Sequence, residues 1–226
     1  MSSLRAIGLG IAGAVAGLPV AALVYNVRAS GPVRMPDRWW VGGAASPRLR
    51  LGTAASTGSA SSVVGASISS TIALPSYWIF SVVGVALAII DLRYRRLPYL
   101  LTGLLFASSV LSFVVSAITE GEAGSLVAPT AACFTTSSMM LIIALALPGQ
   151  LGLGDVAFAG AITFSLGWLS WQTAALGLLA GLILHGAVVA ASQRRHSVNA
   201  LTPMGPAFLV GWLLAVVGHS QLHLTP

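Results

Sequence analysis

The chain has 226 residues, of which 56% are apolar and only 7% charged. Soluble domains carry about a quarter charged residues, so this composition excludes an ordinary water-soluble fold and indicates an all-α, polytopic membrane helix bundle. The net charge is +6, with no lysine, eleven arginines and one cysteine, Cys133; this excludes an internal disulfide and a multi-cysteine metal site, and arginines in short loops between apolar runs have anionic lipid headgroups, not nucleic acid, as their expected partner.

Eight runs are predicted to be membrane helices, forming one membrane-embedded domain over 1–226. The first, about 6–26, competes with a secretory signal reading, but its apolar core is long and no small-residue cleavage site follows. A short basic loop, about 27–50, comes next. The second run, about 51–72 ("LGTAASTGSASSVVGASISSTI"), is rich in Ser and Thr, and hydropathy alone would leave it as a loop. The runs at about 74–91, 99–118, 126–147, 155–171, 173–191 and 203–220 are firmer, each near the ~20 residues that cross the hydrocarbon.

Arginine placement tests this count. Arg28, Arg34, Arg38, Arg48 and Arg50 lie between runs one and two; Arg93, Arg95 and Arg96 follow run three; Arg194 and Arg195 follow run seven. With eight spans, these ten fall on one side, and Arg5, Glu120 and Glu122 fall on the other. The positive-inside rule then puts the ten arginines in the cytoplasm and both termini outside. Removing the second span separates the two largest arginine clusters, so charge parity supports a span that hydropathy does not.

Only five acidic residues occur: Asp37, Asp91, Glu120, Glu122 and Asp155. Asp91 ends run three and Asp155 begins run six, so both are expected at one depth, at the cytoplasmic edge. Two carboxyls held close share a proton; the ionised one can draw a proton from water while the other polarises a carbonyl. Gly152 and Gly154 before Asp155 would allow a tight turn and close approach of a substrate backbone. Bland readings compete: Asp155 as a helix N-cap, and Asp91 paired with Arg95 on a continuing helix. Shared depth and the scarcity of acids favour function.

Other residues carry less. His185 within run seven is read as a hydrogen-bond partner. His196, His219 and His223 have no metal spacing. Trp39 and Trp40 beside Arg38, and Trp168 and Trp171 at the opposite face, are expected as interfacial anchors. No metal ligand set and no cofactor are expected.

Four segments together resemble the type IV prepilin peptidases. "IIDLRYRRLPYLLTG" (89–103) is similar to their first aspartate motif, "GLGD" (152–155) to their Gly-x-Gly-Asp motif, and "LTPMGPAFLVGW" (201–212) to their late Pro-x-Gly-Pro segment. "GLPVAALVYNVRASGPVRMP" (17–36) is a looser match to their first helix and following loop. Presenilin-like enzymes share Gly-x-Gly-Asp, but their first aspartate follows tyrosine, whereas Asp91 follows Ile90. The resemblance implies a membrane aspartic endopeptidase that cuts the basic leader from type IV pilin-like precursors at the cytoplasmic face. It implies Asp91 and Asp155 as catalytic residues. It implies Gly152, Gly154, Pro98, Gly205 and Pro206 as residues that shape the site or bind substrate.

Departures from the family pattern are specific. Ala157 stands where many members have lysine, and Tyr99 where many have asparagine. The loop at 27–50 lacks the two Cys-x-x-Cys pairs associated with zinc and with N-methylation of the processed pilin, so the resemblance carries neither over. Two other readings stay open: a small proton- or cation-coupled transporter subunit, which acids at mid-span would favour, and an inactive homologue that only binds pilin precursors.

Overall fold

A chain in hydrocarbon has to satisfy its own backbone polar groups, and a helix does so within one segment. The computed structural model is all-helical over the described residues, which are 2–27, 36–70, 72–121, 123–147, 151–193 and 202–222. Arg28, Arg34, Glu122, Arg194, Arg195, His196, Leu201 and His223, named above, lie outside them. Eight α-helices occur among the described residues: α1 (Ser2–Asn26), α2 (Pro47–Ser67), α3 (Leu74–Tyr94), α4 (Tyr99–Thr119), α5 (Val127–Ala146), α6 (Leu153–Leu169), α7 (Trp171–Gln193) and α8 (Gly205–Leu222). Of these, α1, α3, α4, α5 and α7 are long and apolar enough to cross a membrane, and α6 is apolar but has 17 residues. The protein is a polytopic membrane helix bundle.

The Ser- and Thr-rich run is helical, and its hydroxyls explain how. Thr53 Oγ1 donates to the Leu49 carbonyl at 2.9 Å, Thr57 Oγ1 to that of Thr53 at 2.6 Å, and Ser59 Oγ to that of Ala55 at 2.8 Å. Bonded back onto the preceding turn, these hydroxyls present little unsatisfied polarity. Ser46 caps the N-terminus, accepting from Leu49 N at 3.3 Å, and Pro47 takes the first helical position. Small residues then let α2 lie directly on α1. A Cβ on Gly17 would stand 2.5 Å from Ala54 Cα, and one on Gly65 2.9 Å from Ala6 Cα. The pairs Gly17–Ala54 and Gly65–Ala6 make the two helices antiparallel. Arg5 accordingly sits at the far end, donating to the Ser69 carbonyl at 3.1 Å.

Contacts between the other helices fix an up-and-down order. Asp91 and Gly84 of α3 meet Gly205 and Leu209 of α8, so these two run antiparallel. Gly181 and Gly177 of α7 meet Phe208 and Ala215 of α8, again antiparallel. Phe106 and Phe113 of α4 meet Phe164 and Trp168 of α6, so those run parallel. The centre is aromatic: Trp212 stacks on Phe80 at 4.6 Å between centroids and on Tyr77 at 6.0 Å. Its indole N–H donates to Ser165 Oγ at 3.2 Å, and the Tyr77 hydroxyl donates to the Ser165 carbonyl at 2.8 Å. Both polar tips are thereby satisfied in the core. Trp168 is half-buried and stacks on Phe113 at 4.6 Å, while Trp171, Trp39 and Trp40 are exposed.

Candidate functional site

The chain order brings the C-terminus of α3 and the N-termini of α4, α6 and α8 to one end of the bundle. α3 stops at Tyr94 because Arg95 takes a left-handed conformation (φ 51°), its N–H donating to the Asp91 carbonyl at 2.8 Å. A non-glycine residue there costs about 1–2 kcal/mol, so this turn is held by its surroundings. The helix does not continue through Arg95, which removes the geometry assumed for an Asp91–Arg95 helical pair. Leu97 is buried, and Pro98 is the N-cap of α4, its extended backbone (φ −63°, ψ 123°) beginning the new helix.

Asp91 is 4% exposed. Its Oδ2 accepts from Gly205 N at 2.7 Å. This N–H lies where α8 begins and has no partner within that helix. The Asp91 carboxylate therefore occupies the N-terminus of α8, where negative charge is favoured. Pro206, in the first turn of α8, lacks an N–H at a place where none is required.

Asp155 is half-buried in the first turn of α6. The N-cap is Gly152, so Asp155 is not the cap itself but stands three residues beyond it; its Oδ2 accepts from Gly152 N at 3.3 Å. Asp155 lies close enough to Asp91 to feel its charge. Two carboxylates from helices far apart in sequence thus share one site.

The glycines act differently from expectation. Neither Gly152 (φ −78°) nor Gly154 has positive φ, so no tight turn demands them. Gly154 instead allows close approach: a Cβ there would stand 3.1 Å from both Leu97 Cβ and the Leu97 carbonyl oxygen. A Cβ on Gly205 would stand 3.0 Å from Asp91 Oδ2 and 3.4 Å from Leu97 Cδ2. Leu97 is therefore the wedge between the first turn of α6, which bears Asp155, and the start of α8, which holds Asp91. Its leucine side chain carries no chemical signal, and only its position between Asp91 and Pro98 could have pointed to it. His185 on α7 is half-buried, and its Nδ1 is buried without a partner.

Among the described residues, no group of three or more His, Cys, Asp or Glu side chains could hold a metal ion. The sequence model described as the type IV leader peptidase family matches residues 78–191, half of the chain. That match spans Asp91, Pro98, Gly152, Gly154, Asp155 and His185 and stops before α8. No curated protein matches the chain, and neither does any solved structure.

Proposed function

The chain belongs to the type IV leader peptidase family, and from that premise we propose that it is an aspartic endopeptidase with Asp91 and Asp155 as its catalytic pair. The substrate is a type IV pilin-like precursor, cut after its basic leader at the cytoplasmic face of the inner membrane. The observation that carries this reading is the meeting of two scarce carboxylates at one end of a bundle, one gripped by the start of α8 and the other in the first turn of α6.

The reaction follows from that pairing. One carboxylate, ionised, takes a proton from a water lying between the two, and the water oxygen bonds to the scissile carbonyl carbon. The other, protonated, donates to the carbonyl oxygen, giving a neutral tetrahedral diol. Proton return to the peptide nitrogen breaks the C–N bond and releases leader and mature protein. Close, desolvated carboxyls suit this exchange because they do not both ionise cheaply. The cytoplasmic orientation rests on the basic side of the sequence: Arg93, Arg95 and Arg96 directly follow the helix that bears Asp91.

The test is cleavage of a pilin-like precursor by purified protein in liposomes, followed by mass spectrometry of the new N-terminus. The expected result is one cut after the leader, lost on Asp155→Asn. An asparagine amide oxygen can still accept from Gly152 N, so substantial cleavage by Asp155→Asn would leave the residue with a structural role only. A folded wild-type protein that binds the precursor without cutting it would be the inactive homologue.

A further inference from the structure

The end of the bundle away from the aspartates carries a second cluster of polar side chains. Ser170 is the single residue between α6 and α7. Its N–H donates to the Leu166 carbonyl at 3.2 Å, and its Oγ accepts from Thr173 N at 3.0 Å, so one residue closes α6 and caps α7. The Thr173 hydroxyl is buried; it is bonded to Ser170 Oγ at 2.7 Å and to His219 Nδ1 on α8 at 3.1 Å. At 1.5 Å per residue, His219 lies ~21 Å along α8 from Gly205. A cavity of about 550 Å³ opens beside this cluster, between α7 and α8. Sites that take small molecules measure roughly 300–1,000 Å³. The lining is graded: Gln172, Thr173 and His219 form one end, and Leu176, Ala180 and Leu214 continue it one to two turns deeper. Gly177 and Gly211 draw the two helices together, since a Cβ on Gly211 would stand 2.6 Å from the Gly177 carbonyl oxygen. The groove runs along that seam, and a Cβ added at Gly218, on its wall, would have nothing within 4 Å. Leu176 and Leu214 are each more than half exposed, so the groove is open to the surrounding hydrocarbon. Trp171, exposed next to Gln172, marks the polar end as the level of the headgroups. A threonine–histidine bond that served only to tie α7 to α8 would need no open groove beside it.

We propose that this groove holds one phospholipid of the leaflet opposite the aspartates, with its phosphate at Gln172 and His219 and one acyl chain along Leu176, Ala180 and Leu214. A phosphodiester only accepts hydrogen bonds, and the Gln172 amide donates them. With Thr173 donating to Nδ1, the ring proton of His219 lies on Nε2, and the Ser170–Thr173–His219 chain fixes the imidazole as a second donor. Among the described residues, none of those lining the cavity is acidic, so no like charge opposes the phosphate. Hydrocarbon surrounds every lipid-facing helix, so the hydrogen bonds at the polar end are what select this position. The site is independent of the peptidase reading, because it lies at the other end of the bundle.

The test uses the full-length protein in vesicles of phosphatidylethanolamine and phosphatidylglycerol with a trace of phosphatidylethanolamine carrying a diazirine on one acyl chain. After irradiation, labelled residues are mapped by mass spectrometry. Label is expected to concentrate on Leu176, Ala180 and Leu214. Gly218→Leu fills the groove from a position with open space around its Cβ and should lower that label several-fold. Gly186→Leu, on α7 outside the groove and equally open, should leave it unchanged. A diacylglycerol with the same diazirine chain lacks the phosphate and should label these residues several-fold less than the phospholipid. Thr173→Val, which removes both hydroxyl bonds, should abolish that preference. Label spread evenly over the lipid-facing helices, equal label from the two probes on the wild type, a preference that survives Thr173→Val, or no response to Gly218→Leu would each overturn the proposal. So would a dimer that Gly218→Leu dissolves with no change in label, because the groove would then seat a second copy of the chain.

Discussion

The α1–α2 pair and the α3–α6–α8 site both depend on glycine, for opposite reasons. Along α1, Gly10, Gly13 and Gly17 face α2, and added Cβ atoms would run into Ser62, Ser61 and Ala54. Those glycines exist so that two helix backbones touch. Without a hydrophobic drive between helices in lipid, such close packing is a main source of association. At the site, Gly154 and Gly205 sit in the first turns of α6 and α8 and keep space beside Leu97 and Asp91. There, glycine sets the place of a carboxylate. The same residue type thus serves helix packing in one region and the placement of a carboxylate in the other, and substitution separates the two.

The largest effect belongs to the pair. Asp91→Asn and Asp155→Asn should each lower single-turnover cleavage by roughly 10⁴-fold or more, with the protein still folded. The double variant should be hardly slower than either single one, because residues acting as a unit are strongly non-additive. Losses that multiply would mean that the two carboxylates act independently.

Next comes Gly205→Ala. Its Cβ would stand 3.0 Å from Asp91 Oδ2 and 3.2 Å from Asp91 Cβ, so the carboxylate has to shift by a few tenths of an ångström. Cleavage should fall about tenfold or more with the thermal transition nearly unmoved. A normal rate would show that Asp91 tolerates displacement.

The smallest effect on activity is expected at Gly17→Ala, where the new Cβ meets the Ala54 backbone at 2.5–2.6 Å. Overpacking of this kind costs about 1–3 kcal/mol, seen as a lower midpoint in detergent unfolding. The folded fraction should cleave at the wild-type kcat. A selective loss of kcat would tie α1–α2 to the site and erase the contrast.

Much of the fold was written in the sequence. The eight runs fall within a few residues of the eight helices, since apolar length and flanking charge dictate where a chain can enter and leave hydrocarbon. The second run shows the limit of hydropathy. Its serines and threonines count as polar residue by residue, yet their hydroxyls bond to carbonyls one turn back. Only arginine parity pointed to it beforehand. The candidate site was legible as residue types: two scarce aspartates, a glycine pair and a late Pro-x-Gly-Pro segment.

Tertiary structure decided what those residues touch. That Asp91 caps α8 follows from the antiparallel packing of α3 and α8, a contact between positions 114 residues apart that no local pattern encodes. Leu97 acquires its place at the site only because Gly154 and Gly205 both close on it. The sequence by itself determined the helices, because helix formation and membrane burial are set by local composition. The tertiary structure alone decided the site's supports, because a hydrogen bond or a close contact depends on where two distant backbones meet.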